Sequence, residues 1–240
     1  MAFVAGAGTA MTVVVGVDGC PAGWVAVVWD LAAAHPAVEV AARWSELPLA
    51  AAAMVAVDMP IGLAEAGPRG CDGEARKLLP RGRTSSVFPA PRRYMLRCAD
   101  WAEANALGKA RDGKGLSHQA WNIIAKIREL DAALTPADQD RVRETHPELV
   151  FHRLNDWRPV PPKKTAAGRE MRMRLLEGAG LDDLNRMLNA IPRSAAKPDD
   201  ILDAAVCAVA GRHMLEGRGT RVPAEDPPRD ARGLRMEIWF

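Results

Sequence analysis

What the chain lacks narrows its class before anything it contains does. Only four cysteines occur in 240 residues, Cys20, Cys71, Cys98 and Cys207, scattered and without a C-x-x-C pair. That spacing argues against a zinc site and against a disulfide framework, so reduced thiols and a cytoplasmic location are expected. No apolar run reaches the roughly 18–20 residues of a membrane span, and no membrane partner is expected. The opening MAFVAGAGTA has no basic residue of the kind that starts a secretory signal. Residues 1–10 read as a disordered extension, with Met11 as an alternative start. Internal repeats and low-complexity linkers are also missing, which speaks against a second independent domain; residues 11–240 are expected to form one. What is present, a 48% hydrophobic content, suffices for a core at this length.

Charge is unevenly placed behind a formal net of +2. Residues 1–60 carry one basic and five acidic side chains, residues 61–180 carry 22 and 15, and residues 181–240 carry 9 and 10. The middle of the chain is therefore the basic part. A solvated surface and a polyanion-binding face both account for it.

Short Val-rich runs bounded by Gly and Pro predict strands near 12–18, 23–30 and 37–42. A helical stretch SELPLAAAA capped by Ser45 follows, then a fourth strand, MVAVD, ending at Asp58. A long insertion, about 62–138, contains the loop RGRTSSVFPAPRR and helices near 92–107 and 117–134, the latter with Trp121, Ile124 and Ile127 at helical spacing. RVRET predicts another strand, stopping at Glu144, and Pro147 suits the first turn of a helix. Further helices are expected near 166–178, 181–190 and 197–214, with MEIWF as a final edge strand. Trp24, Trp29 and Trp121 fall at strand or helix spacing and read as core.

Acidic residues recur at the ends of these elements. Asp18 closes the first strand, Asp58 the fourth and Glu144 the next, while Asp199, Asp200 and Asp203 open the late helix. Strand C-termini of a parallel sheet share the edge where ligands bind, and Asp200 and Asp203, three apart, share a helix face. Asp18 has two readings: a turn cap, or a charge needing a partner because an unpaired buried carboxylate costs several kcal/mol, roughly. Asp199 and Asp200 also suit simple capping; Asp203, deeper among Ile201, Leu202 and Ala204, does not. Gathered carboxylates repel unless a cation joins them, and oxygen-rich clusters suit Mg²⁺ or Mn²⁺. Arg83, Ser85, Ser86, Lys163 and Lys164 offer donors to a phosphate, or are a solvated loop.

The segments GVDGCPAGW, VDMPIGL, GCDGEAR with RTSSVFPAP, SHQAWNIIAKIRELD, ETHPELVF with PKKTAAG, and DDILDAAVCAVAG, in that order, resemble the family called domain of unknown function 429, described as predicted nucleases of RNase H-like fold. The resemblance implies a five-stranded mixed α/β sheet, its first three strands antiparallel, flanked by helices. It implies two divalent metals held by a first-strand Asp, a fourth-strand acid and late-helix acids, which fall by position on Asp18, Asp58 and Asp200 with Asp203. Glu144 has no counterpart in that pattern; its place in a catalytic set rests on its position alone. The expected activity is Mg²⁺- or Mn²⁺-dependent phosphodiester hydrolysis of nucleic acid. The alternatives are a non-catalytic binding or regulatory protein of this fold and an actin-like-fold phosphotransferase. The latter is disfavoured because Gly-Cys-Pro-Ala-Gly after Asp18 offers no hydroxyl and contains a Pro without a backbone donor. A homodimer is left open.

Overall fold

A computed structural model describes residues 12–33 and 35–240; the expected N-terminal extension and Met11 lie outside the described residues. β1 (Val13–Cys20) and β2 (Gly23–Asp30) form a hairpin closed by Pro21-Ala22. Gly23 sits at φ +134°, and a Cβ there would stand 2.4 Å from the Ala41 carbonyl oxygen. β3 (Ala37–Ala41) pairs antiparallel with β2. β4 (Met54–Val57) lies parallel to β1 on its other side, and β5 (Val142–Glu144) parallel to β4. The order is β3-β2-β1-β4-β5, the RNase H-like arrangement that the motifs implied.

Between β4 and β5 run α1 (Gly70–Leu78), α2 (Trp101–Asp112), α3 (His118–Asn122) and α4 (Ile124–Ala133). After β5 come α5 (Pro147–Leu154), α6 (Ala166–Gly178), α7 (Leu184–Ala190) and α8 (Pro198–Leu215). The sheet is covered on both faces, which is why its strands are apolar almost throughout. Val14, Val25, Val27 and Trp29 pack with α5–α8. Val15, Val17, Trp24, Ala26, Val55 and Val57 pack with Ile127 and Leu130 of α4. Helix α8 lies directly on β1 at Gly16, where a Cβ would meet the Ala204 carbonyl oxygen at 2.0 Å and the Ala208 nitrogen at 2.1 Å.

Several sequence expectations are corrected. SELPLAAAA is not a helix: only Trp44–Glu46 form a 3-10 turn. Pro48 biases the residue before it away from helix, and Leu47 is extended at φ −66°, ψ 144°; Ser45 lies inside the turn and caps nothing. The stretch 92–107 divides into a 3-10 segment, Arg93–Arg97, and α2, which starts three residues after Cys98 under an Asp100 cap accepting from the Glu103 N–H at 2.9 Å. The stretch 117–134 breaks at Ile123 (φ −104°, ψ 3°) into α3 and α4. Helix α1 was not anticipated. The tail forms β7 (Ile238–Trp239), paired with β6 (Arg221–Val222) and touching the main sheet through one bridge to Thr145. All four cysteines are free and buried.

Candidate functional site

The pleat decides which acids meet. Alternate residues of β1 face the same way, so Asp18 follows Val14 and Gly16 onto the α8 face. Val17 is aligned with Val57, and the Asp58 N–H donates to the Val17 carbonyl at 2.9 Å; Asp58 is thus the neighbour of Asp18 on the same face. Helix α8, seated on Gly16, brings Asp203 above them. One carboxylate oxygen from each of Asp18, Asp58 and Asp203 lies within 4.8 Å of the others. The turn-capping reading of Asp18 does not hold, because β1 continues two residues past it; its Oδ1 accepts from the Gly19 N–H at 2.6 Å.

Burial and mutual repulsion dominate the electrostatics. Burial first, then Asp58, Asp203 and Asp200, push Asp18 well above the ordinary carboxylate range. Burial lifts Asp58 to about 7 and Asp203 to about 6, in each case against the pull of Lys163. Lys163, in the loop before α6, donates to Asp203 Oδ2 at 2.7 Å. Burial opposes the ammonium charge, yet the three carboxylates carry Lys163 above its ordinary range. The donor set is hard oxygen, desolvated and short of positive charge, which fits a divalent cation held by Asp18, Asp58 and Asp203.

The other sequence-selected residues are placed differently. Asp200 stays near enough to raise Asp18, but its Oδ2 accepts from the Lys197 N–H at 2.9 Å, closing the first turn of α8. It has the capping contact expected of Asp199 and is outside the three-carboxylate set. Glu144 is aligned with Val57 and so faces the side of the sheet opposite Asp58. There the buried Arg69 guanidinium reaches its two oxygens, both at 2.7 Å, while the Ile61 N–H donates to Oε2 at 2.7 Å. Arg69 also bonds Asp72 and the Ile61 and Gly62 carbonyls, making a buried brace under the site. Arg83 donates to the Val160 carbonyl at 2.8 Å, and Arg172 to the Pro161 carbonyl at 2.8 Å. Both hold the loop that delivers Lys163. Ser86 Oγ donates back to the Arg83 carbonyl at 2.6 Å; Ser85 and Lys164 are exposed.

Asp18, Asp58, Asp203, Lys163, Glu144 and Ser86 border a cleft of about 310 Å³ at the C-terminal edge of β1, β4 and β5; Asp200, Arg83, Ser85 and Lys164 do not line it. Its lining also contains His146, Glu148 and Lys126, which the sequence alone does not mark as site residues. His146 Nε2 lies 3.2 Å from the Ser86 carbonyl oxygen, and its Nδ1 is buried without a partner. Donation from Nε2 leaves Nδ1 as a lone-pair acceptor, and burial lowers its pKa, favouring the neutral ring. Glu148 pairs through Oε1 with Arg172 at 2.5 Å, while Oε2 is buried and unpartnered. Lys126 of α4 completes the lining. ETHPELVF contains two of the three, but only long-range packing turns them into the cleft.

A mixed 3-2-1-4-5 sheet with strand-end and helix acids converging at one edge defines an RNase H-like protein with a carboxylate centre. The chain belongs to the family described as protein of unknown function (DUF429), whose match spans residues 16–228. No curated protein and no solved structure matches it. Among the described residues, no helix is long and apolar enough to cross a membrane.

Proposed function

We propose that the protein is a Mg²⁺- or Mn²⁺-dependent hydrolase of phosphodiester bonds in nucleic acid, with Asp18, Asp58 and Asp203 as the metal-holding residues. The observation carrying this reading is the meeting of three carboxylates from three separate elements within 4.8 Å. Such crowding is costly without a cation, and nothing in the packing requires three acids there. A divalent ion at this place would act as Lewis acid toward a phosphoryl oxygen and lower the pKa of a water. In the reaction the water oxygen bonds to phosphorus, the P–O bond to one sugar breaks, and a proton passes to the departing oxygen.

The chain's own groups have distinct tasks in this reading. Asp203 is oriented by Lys163, whose ammonium supplies counter-charge there and would be available to a substrate phosphate if an ion took its place. His146 borders the same cleft, its ring kept neutral by burial. Arg69 and Glu144 keep the β5 end and the Ile61–Gly62 turn fixed. The test is cleavage of single-stranded, duplex, hybrid and branched substrates with Mg²⁺, Mn²⁺ and chelator. Metal-dependent cleavage that Asp58→Asn abolishes supports the reading. Cleavage insensitive to Asp58→Asn, or none of any substrate, overturns it.

A further inference from the structure

A second ammonium in the cleft has no role in the arrangement described so far. Lys126 stands in the first turn of α4 and lines the cleft. Its stem lies across Gly19, where a Cβ would meet Lys126 Cδ at 2.6 Å and Cε at 2.8 Å. Its Nζ is 6.0 Å from the centre of the Trp24 ring, itself anchored by Nε1 donating to Glu129 at 2.8 Å. Lys163 is bound to Asp203; Lys126, among the described residues, has no ion pair and no hydrogen bond. Lys126 thus stands on the Gly19 side of β1, opposite the face that Asp18 shares with α8, yet it borders the same cleft; half-buried, fixed by packing and bound to none of the three carboxylates, it is placed for an anion brought from outside.

Part of the remaining lining is apolar, with Met59, Pro60, Val87, Phe88 and Ile123 beside the charged residues. At about 310 Å³ the cleft is at the small end of the roughly 300–1,000 Å³ of ligand pockets. That space suits one nucleotide, with apolar side chains available to its base, and is too small for a base pair with two backbones. We propose that the cleft takes one unpaired nucleotide of a single-stranded chain, its phosphate gripped by Lys126 and its base taken by apolar lining residues such as Phe88 and Ile123. The proposal rests on the hydrolase reading and narrows its substrate to single strands.

Binding, read apart from turnover, tests it: fluorescence anisotropy of a labelled oligonucleotide, single-stranded and as duplex, without divalent ion and across salt. The single strand is expected to bind about tenfold or more tighter than the duplex. Lys126→Gln should weaken it about five- to tenfold and reduce the salt slope by about one counterion. Lys126→Arg should restore binding. Gly19→Ala, which keeps every charge but pushes the Lys126 stem aside, should weaken binding while the thermal midpoint stays within a few degrees. Equal affinity for single strand and duplex, or a folded Lys126→Gln protein that binds as wild type does, overturns the proposal even if metal-dependent cleavage is found. Tight Lys126-dependent binding with no cleavage of any substrate supports it and sinks the hydrolase reading instead.

Discussion

Asp58 is lifted to about 7 by burial among groups that share its charge, so its ionised form destabilises the metal-free protein at neutral pH. Asp58→Asn is therefore expected to stabilise that protein by about 1.4 kcal/mol or more, the equivalent of one unit of pKa shift. The same variant should gain nothing from Mn²⁺, and urea denaturation with and without the ion measures both effects. Arg69 is the opposite case. It is 3% exposed and offsets two buried acids, Asp72 and Glu144, so Arg69→Met should cost roughly 3–5 kcal/mol by leaving them unpaired. Arg69→Lys should recover only part of that, since an ammonium cannot reproduce the fork that reaches Glu144, Asp72 and two carbonyls together. Denaturation midpoints of the two variants check the ranking. Asp18, Asp58 and Asp203 were legible in the sequence because each follows or opens a strongly patterned element. The Arg69 brace was not: Glu144 lies 75 residues away, the Ile61 and Gly62 carbonyls lie in an unpatterned loop, and the i,i+3 spacing to Asp72 has meaning only within α1.

At the scale of elements, the site depends on how closely α8 approaches the sheet. Gly16 supplies that closeness, with backbone of Ala204 and Ala208 occupying the place of a side chain. Gly16→Ala must lift α8 from β1 and carry Asp203 away from Asp18 and Asp58. A loss of about 1–3 kcal/mol, the usual cost of overpacking, is expected, together with weakened Mn²⁺ binding by calorimetry although no ligand is altered. An unchanged metal affinity would show that α8 does not set the spacing of the acids. The strands and α8 are readable from hydrophobic periodicity, the sheet arrangement only from the family resemblance, and the Pro147 helix start from its position. The helix expected after Ser45 failed because Ala-rich composition was weighed above Pro48. Asp200 and Asp203 were equivalent on spacing alone; the first turn of α8 separates them, since Asp200 can reach back to the Lys197 N–H and Asp203 cannot. Lys126 in α4 and His146 just before α5 carry no signal in periodicity, because tertiary packing alone brings them to the cleft.

For the whole molecule, the carboxylate centre couples stability to pH and to metal. Asp58 and Asp203 have folded values of about 7 and about 6 against an ordinary 3.8, so between these limits the native state holds more protons than the unfolded chain. Their contribution is fully present below pH ~4 and is lost as pH rises through 6–7. His146 and His152, lowered by burial, act in the other direction, subtracting stability as pH falls below the ordinary 6.5. Metal separates the two groups, because a divalent ion displaces protons from the carboxylates alone. The rise in melting temperature on adding Mn²⁺ should be small at pH 5 and grow through pH 6–7; a rise independent of pH would place the ion elsewhere. The central claim is that Asp18, Asp58 and Asp203 form one divalent-metal centre, and anomalous diffraction from crystals containing Mn²⁺ tests it most directly. The account predicts a peak bounded by oxygens of all three carboxylates, with the Lys163 ammonium moved off Asp203. No peak there at an Mn²⁺ concentration that supports cleavage, with Lys163 still bonded to Asp203, would contradict it.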